Sequence, residues 1–193
     1  MKKLVIKTIC ITLASLIGVF ALAFGAVVLF APKRLGGLFD GVGNYSATVF
    51  FYEKQYEKTN DINDLYVLVS KIDIEKDASN AEKYYFQLIS HEDFDSLCSK
   101  IDKDNRSIKA KDYYYGNYCL ALCENGKLDG ALSFAKAYVD ENGYTANNPF
   151  RVIVIEYSAD AQSDEVQKIK QALDLIEDDS NYLTTDKNYI DNK

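Results

Sequence analysis

The run from Thr8 to Ala31 holds 24 residues without one charge, with basic residues at both ends. As an α-helix it would be about 36 Å long, and about 20 apolar residues suffice to cross a hydrocarbon core of about 30 Å. This segment fixes the rest of the reading. Residues 1–7 are a short basic tail, residues 8–31 a transmembrane anchor in the lipid bilayer, and the remainder works at that surface. A signal peptide is the competing assignment: Lys2, Lys3 and Lys7 would form its basic start, and Ala21-Leu22-Ala23 resembles a cleavage site. The apolar run continues through Phe24–Ala31, longer than such a segment needs, and this favours an uncleaved anchor.

Three lysines and the α-amino group precede the span, while Lys33 and Arg34 follow it. The excess favours a cytoplasmic N-terminus and an extracytoplasmic domain in a single-pass membrane protein. Seventeen of the 22 basic residues and all 29 acids lie beyond residue 34, a net charge of −12 for residues 35–193. So acidic a domain repels nucleic acid, and no nucleic-acid partner is expected. Outside the span stand Cys98, Cys119 and Cys123, an odd number with no CxxC spacing. Neither a disulfide framework nor a zinc site follows, and free thiols suit a reducing compartment, against the charge-based orientation.

Apolar periodicity and turn residues place helices at Leu35–Val42, Tyr45–Lys58, Asp61 to about Ile74, Ser79 to about Ser90, Glu92–Asp102, Lys111–Cys123, Leu128–Glu141, Pro149–Ala159 and Asp164–Glu177. The β-branched stretch Arg151–Tyr157 would also suit a buried strand, but one strand has no partner, so a helix is expected. Residues 178–193 are polar without a strong apolar stripe and are expected to form a disordered tail.

Helices of this length joined by tight turns make an array of hairpins. Gly43-Asn44-Tyr45 and Gly126-Lys127-Leu128 each end one helix and open the next, continuing with Thr48/Ala131 and Phe51/Phe134. Between them, Ala81 and Tyr85 follow Thr48 and Tyr52 by 33 residues. Leu35-Gly36…Phe39…Gly43-x-Tyr45…Thr48…Tyr52, and again Tyr118-Cys119…Leu122…Gly126-x-Leu128…Ala131, resemble the spacing of tetratricopeptide repeats, whose period is about 34 residues. The chain thereby resembles a membrane-anchored bacterial protein of this type. The resemblance implies an all-α fold, in which a transmembrane helix precedes a hairpin solenoid over residues 32–177. Cys119 stands where the family prefers glycine, Ala135 where it prefers an aromatic, and the segment His91–Lys109 interrupts the period.

Candidate chemistry is thin. His91 has no HExxH partner, and Asp102-Lys103-Asp104 begins like a calcium loop but puts Arg106, Ser107 and Tyr113 where ligands and the turn glycine belong. Cys119 and Cys123 share a helix face as small buried apolar groups. No catalytic residue, metal site or cofactor is expected. In Tyr113-Tyr114-Tyr115 the three side chains diverge on a helix, so at least one faces solvent or a groove. The family's first-helix face lines a peptide groove, and by that resemblance Tyr113, Leu120 and Glu124 are the candidate protein-binding residues. The function implied is a non-enzymatic adaptor or scaffold for a protein or peptide. A structural subunit of a larger membrane complex is the alternative, and an enzyme or ligand-binding domain whose site forms only in three dimensions is a third.

Overall fold

A computed structural model describes residues 2–103 and 108–193, with side chains described from Thr8 onward. Asp104, Arg106 and Ser107 of the loop weighed for calcium, and the side chains of Lys2, Lys3 and Lys7, lie outside the described residues. Every regular element described is helical, with no strand: α1 (Lys2–Phe30), α2 (Pro32–Gly41), α3 (Tyr45–Thr59), α4 (Ile62–Val69), α5 (Ala78–Ile89), α6 (Phe94–Asp102), α7 (Ala110–Glu124), α8 (Leu128–Asn142), α9 (Pro149–Ile155), α10 (Ser163–Asp174) and α11 (Asn181–Asp191). The chain divides into two compact units, residues 1–71 and 72–193.

In the first unit, α1 contains a segment, Thr8–Phe30, long and apolar enough to cross a membrane, and none of it is buried by the protein. Ala31 alone separates it from α2, which has proline at its first position, where the missing N–H costs nothing. Gly36 and Gly37 lie inside α2. A Cβ on Gly36 would sit 3.0 Å from the Tyr52 ring, so the small residue sets the approach of α2 to α3. The turn between these helices uses Gly43 at φ +72°, and Asn44 caps α3 by accepting from the Ala47 N–H.

Asp64 of α4 ties the unit together. It accepts from Lys33 Nζ of α2 at 2.7 Å, and from Gln55 Nε2 and Thr59 Oγ1 of α3 at 2.8 and 2.9 Å. Lys33, whose place after the span suggests a headgroup position, is thus held by a carboxylate. Helix α4 ends at Val69 rather than near Ile74, with Ser70 at its C-terminus.

In the second unit α7 is central: α5, α6, α8 and α9 all pack on it. Alternate helices also touch, α7 with α9, α9 with α11, and α8 with α10, forming two rows. The core draws Cys119 from α7, Ala131 from α8, Phe150 and Ile153 from α9, Ile169 from α10 and Ile190 from α11. Arg151–Tyr157 is helical as expected, α9 passing into a 3-10 turn at Tyr157–Ala159. Gly126 turns the chain between α7 and α8 at φ +71°, as Gly43 does between α2 and α3.

The end of the chain departs from expectation. Residues 181–191 form α11, capped by Ser180 and burying Leu183, Asp186 and Ile190. Those positions are spaced i, i+3, i+7, a core stripe whose central member is a carboxylate. A search for apolar periodicity passes over it because an acid there reads as solvent-facing.

A Cβ on Gly116 would stand 2.7 Å from Val152 Cγ2, marking the closest approach of α7 to α9. Gly116→Ala is therefore expected to cost about 1–2 kcal/mol, against the gain of about 1 kcal/mol that alanine usually brings inside a helix. Adding Val152→Ala should recover most of the loss. Thermal unfolding followed by circular dichroism checks both; a single variant as stable as the parent would refute the tight crossing.

Candidate functional site

Beside the Gly116 crossing, α7 and α9 border a cleft of about 310 Å³. One wall carries Asp112, Tyr113 and Asn117 of α7 with Ile108 before it; the other carries Arg151, Val152, Ile155 and Glu156 of α9. The segment 146–148 also lines the cleft. Its rim is unusually apolar for solvent-facing surface: Ile108, Tyr113 and Ile155 are 41, 49 and 47% exposed.

Local sequence positions the α9 wall. Asn148, wholly buried, accepts from the Phe150 and Arg151 N–H groups and donates Nδ2 to the Thr145 carbonyl, fixing the first turn after Pro149. Arg151 is held on two sides, Nε donating to Asp186 at 2.7 Å and Nη1 to the Ala146 carbonyl at 2.7 Å. Its guanidinium also lies 5.1 Å from the Tyr182 ring. The cation is thus preorganised at the edge of the cleft.

On the α7 wall, Asp112 is buried and accepts from the Tyr138 hydroxyl. Burial, and then this carboxylate, push the Tyr138 phenol well above its ordinary range. Tyr114 is buried, Tyr115 half-buried and Tyr113 exposed, the divergence expected of three consecutive helical side chains. Tyr113 rests edge-on against Tyr114 at 5.2 Å. Asn117 Nδ2 donates back to the Tyr113 carbonyl.

Of the three residues singled out from sequence, Tyr113 lines the cleft. Leu120 is half-buried and Glu124 exposed; they continue the helical stripe of Tyr113 and Asn117 beyond the cleft and do not line it. Sequence reasoning missed Asn117, Arg151, Val152 and Ile155. An arginine inside the apolar run Phe150–Ile155 was the available signal, since such a charge needs a buried partner or a functional surface.

Other chemical candidates have local structural roles. His91 Nδ1 accepts from the Asp93 N–H ahead of α6. Burial pushes the thiols of Cys98 and Cys123 up to about 11 and about 12, and that of Cys119 upward as well, so all three are protonated at neutral pH. Cys119 Sγ lies 3.8 Å from the Ala131 carbonyl, filling the α7–α8 crossing. Among the described residues no group of three His, Cys, Asp or Glu side chains is placed to hold a metal ion.

Comparison with known proteins finds no match to a protein-family model, a curated protein or a solved structure.

Proposed function

We propose that this chain is a membrane-anchored, non-enzymatic adaptor that holds a protein or peptide segment in the cleft between α7 and α9. The observation that carries the reading is the cleft itself: a preformed concavity with a largely apolar rim and one fixed cation. Preorganised walls let a partner bind without the cost of ordering them, and exposed apolar side chains supply the driving force. The paired rows α7–α9–α11 and α8–α10 support a tetratricopeptide-like hairpin arrangement in the second unit. Helix α6, packed on α7 between the hairpins, and the division of the chain between α4 and α5 depart from a regular repeat array.

Residues 8–31 serve as a single-pass anchor in the cell membrane, with the N-terminus cytoplasmic and the two-unit body outside. Protease treatment of intact cells tests the topology: peptides from residues 35–193 released before lysis support it, and protection until lysis reverses it.

Binding is tested by selecting peptides from a random display library against the full chain in nanodiscs. Selected peptides should bind Tyr113→Ala and Ile155→Asp at least about tenfold more weakly, a loss of about 1.4 kcal/mol, and Tyr189→Ala unchanged. Peptides insensitive to both cleft variants, or no selection above background, would remove the cleft as the binding site.

A further inference from the structure

A second exposed apolar surface lies in the first unit. Leu38 of α2 and Val42, the residue that ends it, are 59 and 70% exposed, and Phe50 of α3 is 45% exposed. Phe50 packs edge-on against Phe51 at 5.1 Å, and Phe51 stacks on Phe39 of α2 at 5.4 Å, so aromatic contact runs across the hairpin. Exposed apolar side chains in the unit that carries a membrane-length helix point to lipid as a candidate contact.

The junction with α1 supports that contact. A single residue, Ala31, joins the helices, and its φ of −143° and ψ of 51° turn α2 away from the axis of α1. From the last turn of α3, Lys58 Nζ donates to the Leu29 and Phe30 carbonyls and lies 5.9 Å from the Phe30 ring, capping the end of the apolar helix. Both the first turn of α2 and the last turn of α3 therefore lie where the apolar helix ends. Along their helices, Leu38 is about 9 Å from Pro32 and Phe50 about 12 Å from Lys58. Lys54 reaches over Phe50, with Nζ 5.8 Å from the ring, an aromatic beside an amphipathic cation as suits a membrane interface. Charge points the same way. Residues 33–71 hold five basic and five acidic side chains, whereas residues 72–193 hold 14 and 24. Only the first of these bodies is free of a net negative charge that anionic lipid would repel.

We infer that the α2–α3 hairpin lies in the interfacial layer of the bilayer, with Leu38, Val42 and Phe50 turned toward the acyl chains. The inference rests on α1 spanning a membrane, and the test separates the two. The chain contains no tryptophan, so Leu38→Trp, Phe50→Trp and, within the apolar helix, Leu22→Trp each create a single reporter. The full-length variants are placed in vesicles of phosphatidylcholine and phosphatidylglycerol, with or without brominated acyl chains. The expected result is that all three lose most of their emission to bromine. Leu22→Trp should respond best to bromine deep in the chain, and the other two to bromine near the headgroups.

Three outcomes would overturn the inference. If only Leu22→Trp is quenched by bromine, and the other two are quenched by aqueous acrylamide, the anchor stands and the hairpin is in water. If the hairpin reporters are shielded from both quenchers, protein covers the patch. If Leu22→Trp itself escapes bromine, the anchor reading falls and this inference with it.

Discussion

Replacing Asp186 with alanine is expected to release α11 from the second unit. The carboxylate is 1% exposed and receives the Arg151 Nε at 2.7 Å and the Tyr144 hydroxyl at 2.8 Å. Its loss leaves a largely buried guanidinium with no anionic partner, held by the Ala146 carbonyl and the Tyr182 ring, and deprives the buried Tyr144 phenol of its acceptor. Removing one partner of a buried ion pair costs about 3–5 kcal/mol, because the remaining charge is uncompensated. Arg151 borders the cleft and can swing toward water, which places the loss near the lower end of that range. Amide hydrogen exchange read by mass spectrometry resolves the effect by segment. Peptides covering 181–191 should lose protection first and most, those from the first unit not at all. Unchanged exchange in α11 would show that Leu183 and Ile190 hold the helix without the pair. A triple replacement, Arg151→Met, Tyr144→Phe and Asp186→Leu, should cost less than Asp186→Ala alone, since apolar contacts can substitute for a complete polar set but not for half of one. The same variants bear on the cleft: with Arg151 no longer held across its edge, a selected peptide should bind more weakly even where α11 remains docked.

This ion pair also marks the limit of what periodicity reveals. Helices with an apolar stripe were legible, α5, α6 and α10 among them, because a stripe is a local pattern with a single cause. The turns were legible too: Gly43 and Gly126 occupy positive φ, where other side chains are strained, and Asn148 before Pro149 is a cap that sequence alone announces. What escaped was each place where a charged side chain does a core residue's work. Asp186 hid α11, Asp64 hid the clasp on α2, and Arg151 hid the α9 wall of the cleft. Their partners lie 35, 31 and 35 positions away in sequence, so no window centred on one includes the other. Half of the cleft was accessible through Tyr113, because three adjacent tyrosines cannot all point inward. The other half depends on how α9 crosses α7 at Gly116, a packing fact without a local signature.

The Asp64 clasp makes the stability of the first unit depend on acidity, in a direction set by its partners. Burial alone would raise this carboxyl, but the hydrogen bonds from Lys33, Gln55 and Thr59 outweigh it and hold the group below the usual carboxylate range. A carboxyl whose folded value is depressed contributes stability that is fully present above its unfolded value, about 3.9, and is lost as pH falls through the folded one. At neutral pH, Asp64→Asn should therefore cost about 2 kcal/mol: it loses the charge that engages Lys33, while one amide oxygen still accepts from a neighbour. Lys33 is half exposed and can be rehydrated, which keeps the penalty below that at Asp186. Near pH 2 the native carboxyl is increasingly protonated, and the difference between parent and variant should shrink toward zero. Urea unfolding of the full chain in detergent, with exchange in α2 to α4 as the local readout, would be compared at the two pH values. A gap that persists undiminished in acid would mean that the shape of the side chain at position 64, rather than its charge, holds α2 against α4. Lys33 would then be free to reach the headgroups, as its place one residue after Pro32 first suggests.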